Sequence, residues 1–198
     1  MSTVMSATSA SLFEVIKRRR SIGQVTQEEP TREQIERLLE AATYAPSHYV
    51  TEPWHFFVLT GAAREEFGAV MAAALRLHME GAIDDKAEAR LWKERNKALR
   101  APVIIVVTIP KAQQLAGNLI ENIAATAAAT QNMLLAAEEM GLATIWRTGD
   151  AAYDPLVKRW FDLTPDDHIV GFVYIGFPQI TRPTRVPTHF SMKTTWLS

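Results

Sequence analysis

The chain has 198 residues, of which 47% are hydrophobic and 22% charged, with a formal net charge of −1 and no cysteine. That length suits one domain with a substantial core, and the near-neutral balance gives no reason to expect nucleic acid or an anionic membrane as partner. Without cysteine there are no disulfides, thiolate nucleophiles or cysteine metal sites.

The start, Met1 to Ser11, is small and polar, without the basic opening and apolar run of a signal peptide. No stretch reaches the roughly 18 apolar residues of a membrane span. A cytoplasmic protein with a flexible segment over 1–10 is the expectation. Leu12, Phe13, Val15 and Ile16 then form a helical stripe. Thr31 and Gln34 make a capping-box pattern after Pro30, Ile35, Leu38, Leu39 and Ala42 share one face, and Pro46 ends that second helix. Trp54 to Leu59 reads as a strand, apolar on both faces and so expected to be buried.

Ala62–Gly81 and Asp84–Arg100 read as two helices, and Val103–Ile109, dense in β-branched residues, as the clearest strand. Asn118 to Met140 is the longest helix, capped by Asn118 with Glu121 and stopped at Gly141. It is small or apolar almost all round, so something must cover several of its sides, and a second subunit is a plausible cover. Leu142–Arg147 is a strand, Asp154-Pro155 opens a short helix, and His168–Ile175 is the last strand. Three of the ten prolines fall after Phe177, so 178–198 should be an extended tail. The order of elements predicts an α+β domain over 1–198, one sheet flanked by helices.

Three segments could carry chemistry. In Arg18-Arg19-Arg20-Ser21, Arg19 and Arg20 continue the first helix's stripe at about 100° per residue. Guanidinium groups aimed at a core need an anion, and their forks match phosphate oxygens. Equally, arginines suit a helix C-terminus with their heads in water. Ser47 and His48 lie in a polar loop between Pro46 and Trp54, where binding groups or plain turn residues are both at home. Arg147 alternates with Ala143 and Ile145 and leaves the strand on their face, with Thr148 and Gly149 just past its end.

Other chemistries find no support. The five histidines form no HxxH or HExxH pair, so no metal site is expected. No GxGxxG follows a strand and no GxxxxGK[ST] occurs, which removes Rossmann and P-loop nucleotide sites. No Ser-His-acid spacing favours a serine hydrolase.

Taken together, the segments resemble the nitroreductase family of FMN-dependent oxidoreductases, from about Leu12 to Gln179. The resemblance rests on Arg19-Arg20-Ser21, on Ala45-Pro46-Ser47 running into Pro53-Trp54, on Gly141 to Gly149, and on Ile169-Val170-Gly171-Phe172 with Gly176-Phe177-Pro178. The Ile145–Gly149 run and the short length look most like a compact NAD(P)H nitroreductase subgroup.

The resemblance implies a nitroreductase-like fold, mostly antiparallel, with a long central helix at the interface of a homodimer. It further implies FMN between the subunits, NADH or NADPH as transient donor, and a small nitroaromatic, quinone or similar electrophile as acceptor. Arg19, Arg20 and Ser21 would hold phosphate and ribityl groups. Tyr44 and His48 would come from the other chain, and Trp146, Arg147, Thr148 and Gly149 would line the ring. Arg182 or Arg185 would close over the phosphate, and Lys93 or Lys97 would face the flavin pyrimidine. No side chain is expected to act as catalytic acid, base or nucleophile, because the cofactor supplies the chemistry.

Two departures stand out. Val50 and Glu52 replace the asparagine and glutamine usual before Pro-Trp, and a carboxylate there would disfavour anionic reduced flavin and acidic substrates. Related flavin chemistry, such as dehalogenation or flavin cleavage, and a flavin-storage role therefore stand as alternatives.

Overall fold

The computed structural model describes residues 11–111 and 118–198. The flexible start expected over 1–10 lies outside them. The elements are α1 (Leu12–Arg18), α2 (Arg32–Thr43), β1 (His55–Leu59), α3 (Gly61–Leu77), α4 (Asp85–Arg95), β2 (Val103–Ile109), α5 (Leu119–Glu139), β3 (Ala143–Arg147), α6 (Pro155–Trp160) and β4 (His168–Gly176). The four strands form one sheet in the order β1-β2-β4-β3, each neighbouring pair antiparallel.

The sheet is sandwiched. Every residue of β2 is buried, which explains its unbroken run of branched apolar side chains. Val103, Ile105 and Val107 pack with Leu38 of α2 and Met133 of α5 on one face. Ile104 and Val106 pack with Phe67 and Met71 of α3 on the other. Burying each such side chain is worth about 1.5–3 kcal/mol. Phe67 is the hub of that second face, stacking near Trp160, Phe161 and Phe172 with ring centroids 5.5–5.6 Å away.

The helix starts follow the sequence. Thr31 and Asn118 cap α2 and α5 through complete capping boxes with Gln34 and Glu121. Asp154 caps α6, with Pro155 at its first position. Such caps satisfy amide groups that the first turn leaves free, at about 1 kcal/mol each.

Four expectations need correction. The strand after Trp54 is an edge strand, so Val58 is 40% exposed and only Leu59 within β1 is buried. Apolarity cannot tell an edge from a centre, because an edge strand pairs on one side only. The second helix of the charged region stops at Arg95 and tightens into a 3₁₀ turn over Asn96–Leu99. The tail is mostly extended, as expected, but makes one 3₁₀ turn at Phe190–Lys193. Finally, α1 ends at Arg18, and its apolar stripe is largely uncovered: Leu12 is 69%, Phe13 64% and Ile16 46% exposed, with only Val15 buried.

Candidate active site

Because α1 stops at Arg18, Arg19 and Arg20 do not continue its stripe. Arg19 turns out of the helix at φ −49°, ψ 127°, its N–H still bonded to the Val15 carbonyl. Arg20 folds back beneath the helix end. Its Nη1 donates to the carbonyls of Lys17 (2.6 Å), Arg18 (3.2 Å) and Arg19 (2.7 Å), and its Nε to that of Pro183 in the tail (3.1 Å). Helix-terminal capping is thus realised.

Capping does not use the whole guanidinium. Arg20 Nη2 is buried and has no hydrogen-bond partner among the described residues. Beside it, the half-buried Arg19 guanidinium is held below its ordinary pKa, first by burial, then by Arg20 and more weakly by Arg185, with Glu138 opposing. Arg18 meets Glu138 at 3.5 Å. Crowded arginines with an unmatched buried N–H group are costly without an anion, and the planar fork fits a phosphate. The tail arginine coupled to this cluster is Arg185. Arg182 is exposed and has no contact tying it there among the described residues.

The first and third sequence segments meet. Ser21 bridges to Thr144, and the Ile22 N–H donates to the Thr144 carbonyl at 3.0 Å. This lays Ser21 and Ile22 along the free edge of β3. A Cβ on Gly23 would sit 3.7 Å from Arg147 Nη2, so the chain just after Ser21 also runs close to the Arg147 side chain. The tail is tied to the same stretch by a Val25–Pro178 bridge and a bond from Gln179 N–H to the Gln24 carbonyl (3.0 Å).

Arg147 leaves β3 on the face of Ala143 and Ile145, as its alternation predicts. It enters a cleft of about 290 Å³ with Lys97, Thr148, Gly149, Phe172 and Tyr174. The ladder to β4 ends at Arg147, leaving the N–H groups of Thr148 and Gly149 beyond it. Gly149 adopts φ 119°, ψ −176°, a conformation essentially confined to glycine, so this exit turn depends on having no Cβ.

Trp146, one residue earlier, points to the other face. Its indole lies over Gly171, where an added Cβ would collide with Nε1, and that Nε1 donates to the Val170 carbonyl at 3.4 Å. Its side chain therefore does not line the Arg147 cleft. Of the two lysines, Lys97 lines the cleft, paired with Glu94 at 2.5 Å, whereas Lys93 lines a neighbouring chamber. Phe172 and Tyr174 were missed from sequence, although their shared face on β4 is a plain period-two signal. Burial pushes the Tyr174 hydroxyl up to about 12, against the pull of Arg100 and Arg147.

The second segment sits elsewhere. Tyr44 lines a small recess between α2 and α5, and His48 lies 4.0 Å from Glu121 at the start of α5. Neither lines the Arg147 cleft of its own chain. The loop is unusual: Tyr49, Val50 and Glu52 all have positive φ (53°, 55° and 44°), and Ser47 Oγ accepts from the Glu52 N–H at 3.1 Å to hold it. Three such residues within four positions cost about 1–3 kcal/mol each and persist only where surroundings over-determine them. Tyr44, Tyr49 and Val50 are each close to four-fifths exposed.

The fold, an antiparallel sheet between helical layers, is shared with solved nitroreductase-like proteins. The nitroreductase family model matches residues 16–177, and the chain belongs to that family. It is 36% identical over 186 residues to the "Putative NAD(P)H nitroreductase YdjA" of Escherichia coli (strain K12), covering 90% of this chain and 96% of that one. Among solved structures, the nitroreductase-like family protein from Bacillus cereus superposes with a TM-score of 0.83 at 27% identity, covering 97% of this chain and 98% of that one. A nitroreductase with bound FMN from Bacteroides fragilis NCTC 9343 shares the fold at a TM-score of 0.72 and 23% identity, covering 96% of this chain and all of its own. No helix among the described residues is long and apolar enough to cross a membrane.

Proposed function

We propose that this chain is a cytoplasmic, homodimeric oxidoreductase that holds FMN and uses NADH or NADPH to reduce small electrophiles of the nitroaromatic or quinone class. The observation that carries the reading is the Arg19–Arg20–Arg185 cluster, with a buried, unmatched Arg20 Nη2 next to Ser21, which bridges to Thr144 of β3. A flavin phosphate supplies the missing acceptors, and Ser21 lies next to it for the ribityl hydroxyls. Relatives named for NAD(P)H and a fold neighbour crystallised with FMN support the same assignment.

Bound flavin supplies two-electron hydride chemistry that no side chain here could provide. The protein's part is placement. Arg147, Thr148 and Gly149 border the ring, with the main-chain N–H groups of Thr148 and Gly149 toward its reactive edge. Lys97 is the basic residue at the pyrimidine side. Trp146 contributes by fixing β3 against Gly171 rather than by touching the ring. With a bound flavin as the carrier of the electrons, donor and acceptor would bind in turn, as in ping-pong kinetics.

Dimerisation follows from what one chain leaves uncovered. Ile120, Ile123 and Ala124 of α5 are exposed, as is the stripe of α1. Tyr44 and His48 lie away from their own cleft, and in a dimer they would serve the second chain's flavin. The deciding experiment is the absorption spectrum of the purified protein, with a flavin band at about 450 nm expected, followed by anaerobic titration with each nicotinamide. A colourless protein that does not take up added FMN overturns the cofactor. Bound flavin that neither donor bleaches overturns the enzyme in favour of a flavin carrier.

A further inference from the structure

Next to the Arg147 cleft, and joined to it along Met71, Glu94, Lys97, Asp150 and Ala151, lies a larger chamber of about 750 Å³ between α3, α4 and the start of α6. Its volume is in the range of small-molecule sites, about 300–1,000 Å³. The two cavities share the Lys97 edge, which the flavin assignment uses, but Arg90, Lys93 and Tyr153 line the chamber and not the cleft, and the flavin assignment gives them no role.

Its chemistry is divided. One wall is apolar: Met71, Ala74 and Leu75 from α3 face Pro155, with the Tyr153 ring alongside. The opposite rim is cationic. Arg90 and Lys93 stand three residues apart on α4, both exposed, and neither has an ion-pair partner among the described residues. The chamber's acids are mostly committed elsewhere. Glu94 is bound to Lys97 at 2.5 Å, and Asp154 to His78 at 2.8 Å and to the first amides of α6. Asp150 has no ion-pair partner among the described residues and lies on the side shared with the Arg147 cleft.

We propose that this chamber is a second binding site, distinct from the flavin cleft, for a small aromatic carboxylate. The flat apolar body lies between the α3 wall and Tyr153, where a thioether and a ring favour an aromatic guest. The carboxylate stays at the rim, where the Arg90 fork and the Lys93 ammonium pair with it. The acids among the lining residues, Glu94, Asp150 and Asp154, disfavour a dianion, which sets a single terminal charge as the preferred ligand.

The test uses 2-naphthoate, which does not accept electrons as a nitro compound would, and its neutral isostere 2-naphthamide. Binding to the full-length protein is measured by calorimetry, with and without saturating FMN. Saturable binding of 2-naphthoate, one per chain and unaffected by FMN, is expected. In the R90A/K93A double variant, both positions being exposed, 2-naphthoate should weaken by about tenfold or more, while 2-naphthamide and FMN affinity hold.

Displacement of 2-naphthoate by FMN, or loss of FMN binding in the double variant, would make the chamber part of the flavin site and overturn the proposal. Equal weakening of acid and amide would overturn the assigned role of the rim, and no binding of either would overturn the site. If FMN fails to bind but 2-naphthoate still binds through Arg90 and Lys93, the flavin reading falls and this one stands.

Discussion

The two faces of the sheet are built to different ends. The face under α2 and α5 is closed. There Leu38, Ala129 and Met133 pack with Ile105, which stands opposite Val58 and Val173 in the ladder and is fully buried. A recess at Tyr44 opens on that side. What the closed face lacks is an outer cover, since α1 and the far side of α5 show apolar side chains to solvent. The face under α3, α4 and α6 differs. It also shows apolar side chains to solvent, Leu77 and Trp92 among them, but it holds the Arg147 cleft and the adjoining chamber inside. One face leaves apolar side chains uncovered, the other encloses cavities. The contrast separates side chains that hold the sheet together from those that wait for a partner.

The largest effect should come from the hub of the open face. Phe67→Ala removes the ring that joins Trp160, Phe161 and Phe172, and should cost about 3–5 kcal/mol of stability, read by urea unfolding. A cost below about 1 kcal/mol would mean that the pocketed face can collapse onto the gap, and that its cavities are not rigid.

Next is the arginine cluster. Arg20→Ala should weaken FMN binding by about 1.5–3 kcal/mol, the scale of a lost charged hydrogen bond, measured by flavin fluorescence titration. Because Arg20 also caps α1, Arg20→Lys sharpens the result: it keeps the charge but loses the fork. Unchanged FMN affinity in both variants would reduce Arg20 to a helix cap.

Much of this architecture was legible in the sequence. Capping boxes at Thr31 and Asn118, the Asp154-Pro155 start and the β-branched run of β2 are local signals, and each element lies where they point. The face of Arg147 was equally legible from alternation. What failed was non-local. The end of α1 at Arg18 goes with the turn that brings Ser21 and Ile22 onto β3, and the exposure of β1 depends on its place at the sheet edge. That Lys97 lines the Arg147 cleft and Lys93 does not depends on the turn after α4 at Asn96, which spacing along the chain does not give.

The closed face offers a smaller effect. Ala128→Arg places a long cation on the outer part of α5, where the residue is only half-buried in one chain. It should cost about 1–3 kcal/mol of association, seen as a concentration-dependent monomer by ultracentrifugation. A folded, flavin-loaded monomer, or a dimer untouched by the change, would place the interface elsewhere.

The smallest effect, and the one most specific to the open face, is a pH dependence at Asp154. Burial alone would raise its pKa, but hydrogen bonds from His78 and from the Leu156 and Val157 N–H groups outweigh it, and the net shift is downward from 3.8. A carboxylate with a lowered folded pKa stabilises the fold above its unfolded pKa, and that contribution fades as pH falls through the folded value. Asp154→Asn keeps a capping oxygen but no charge. The stability gap between wild type and variant should therefore be present at pH 7 and shrink on acidification below about 4. His78, being exposed, adds little beyond this, because its pairing is screened by solvent. A gap that is constant from about pH 7 to about pH 3 would show that Asp154 acts through its shape as a cap and not through its charge.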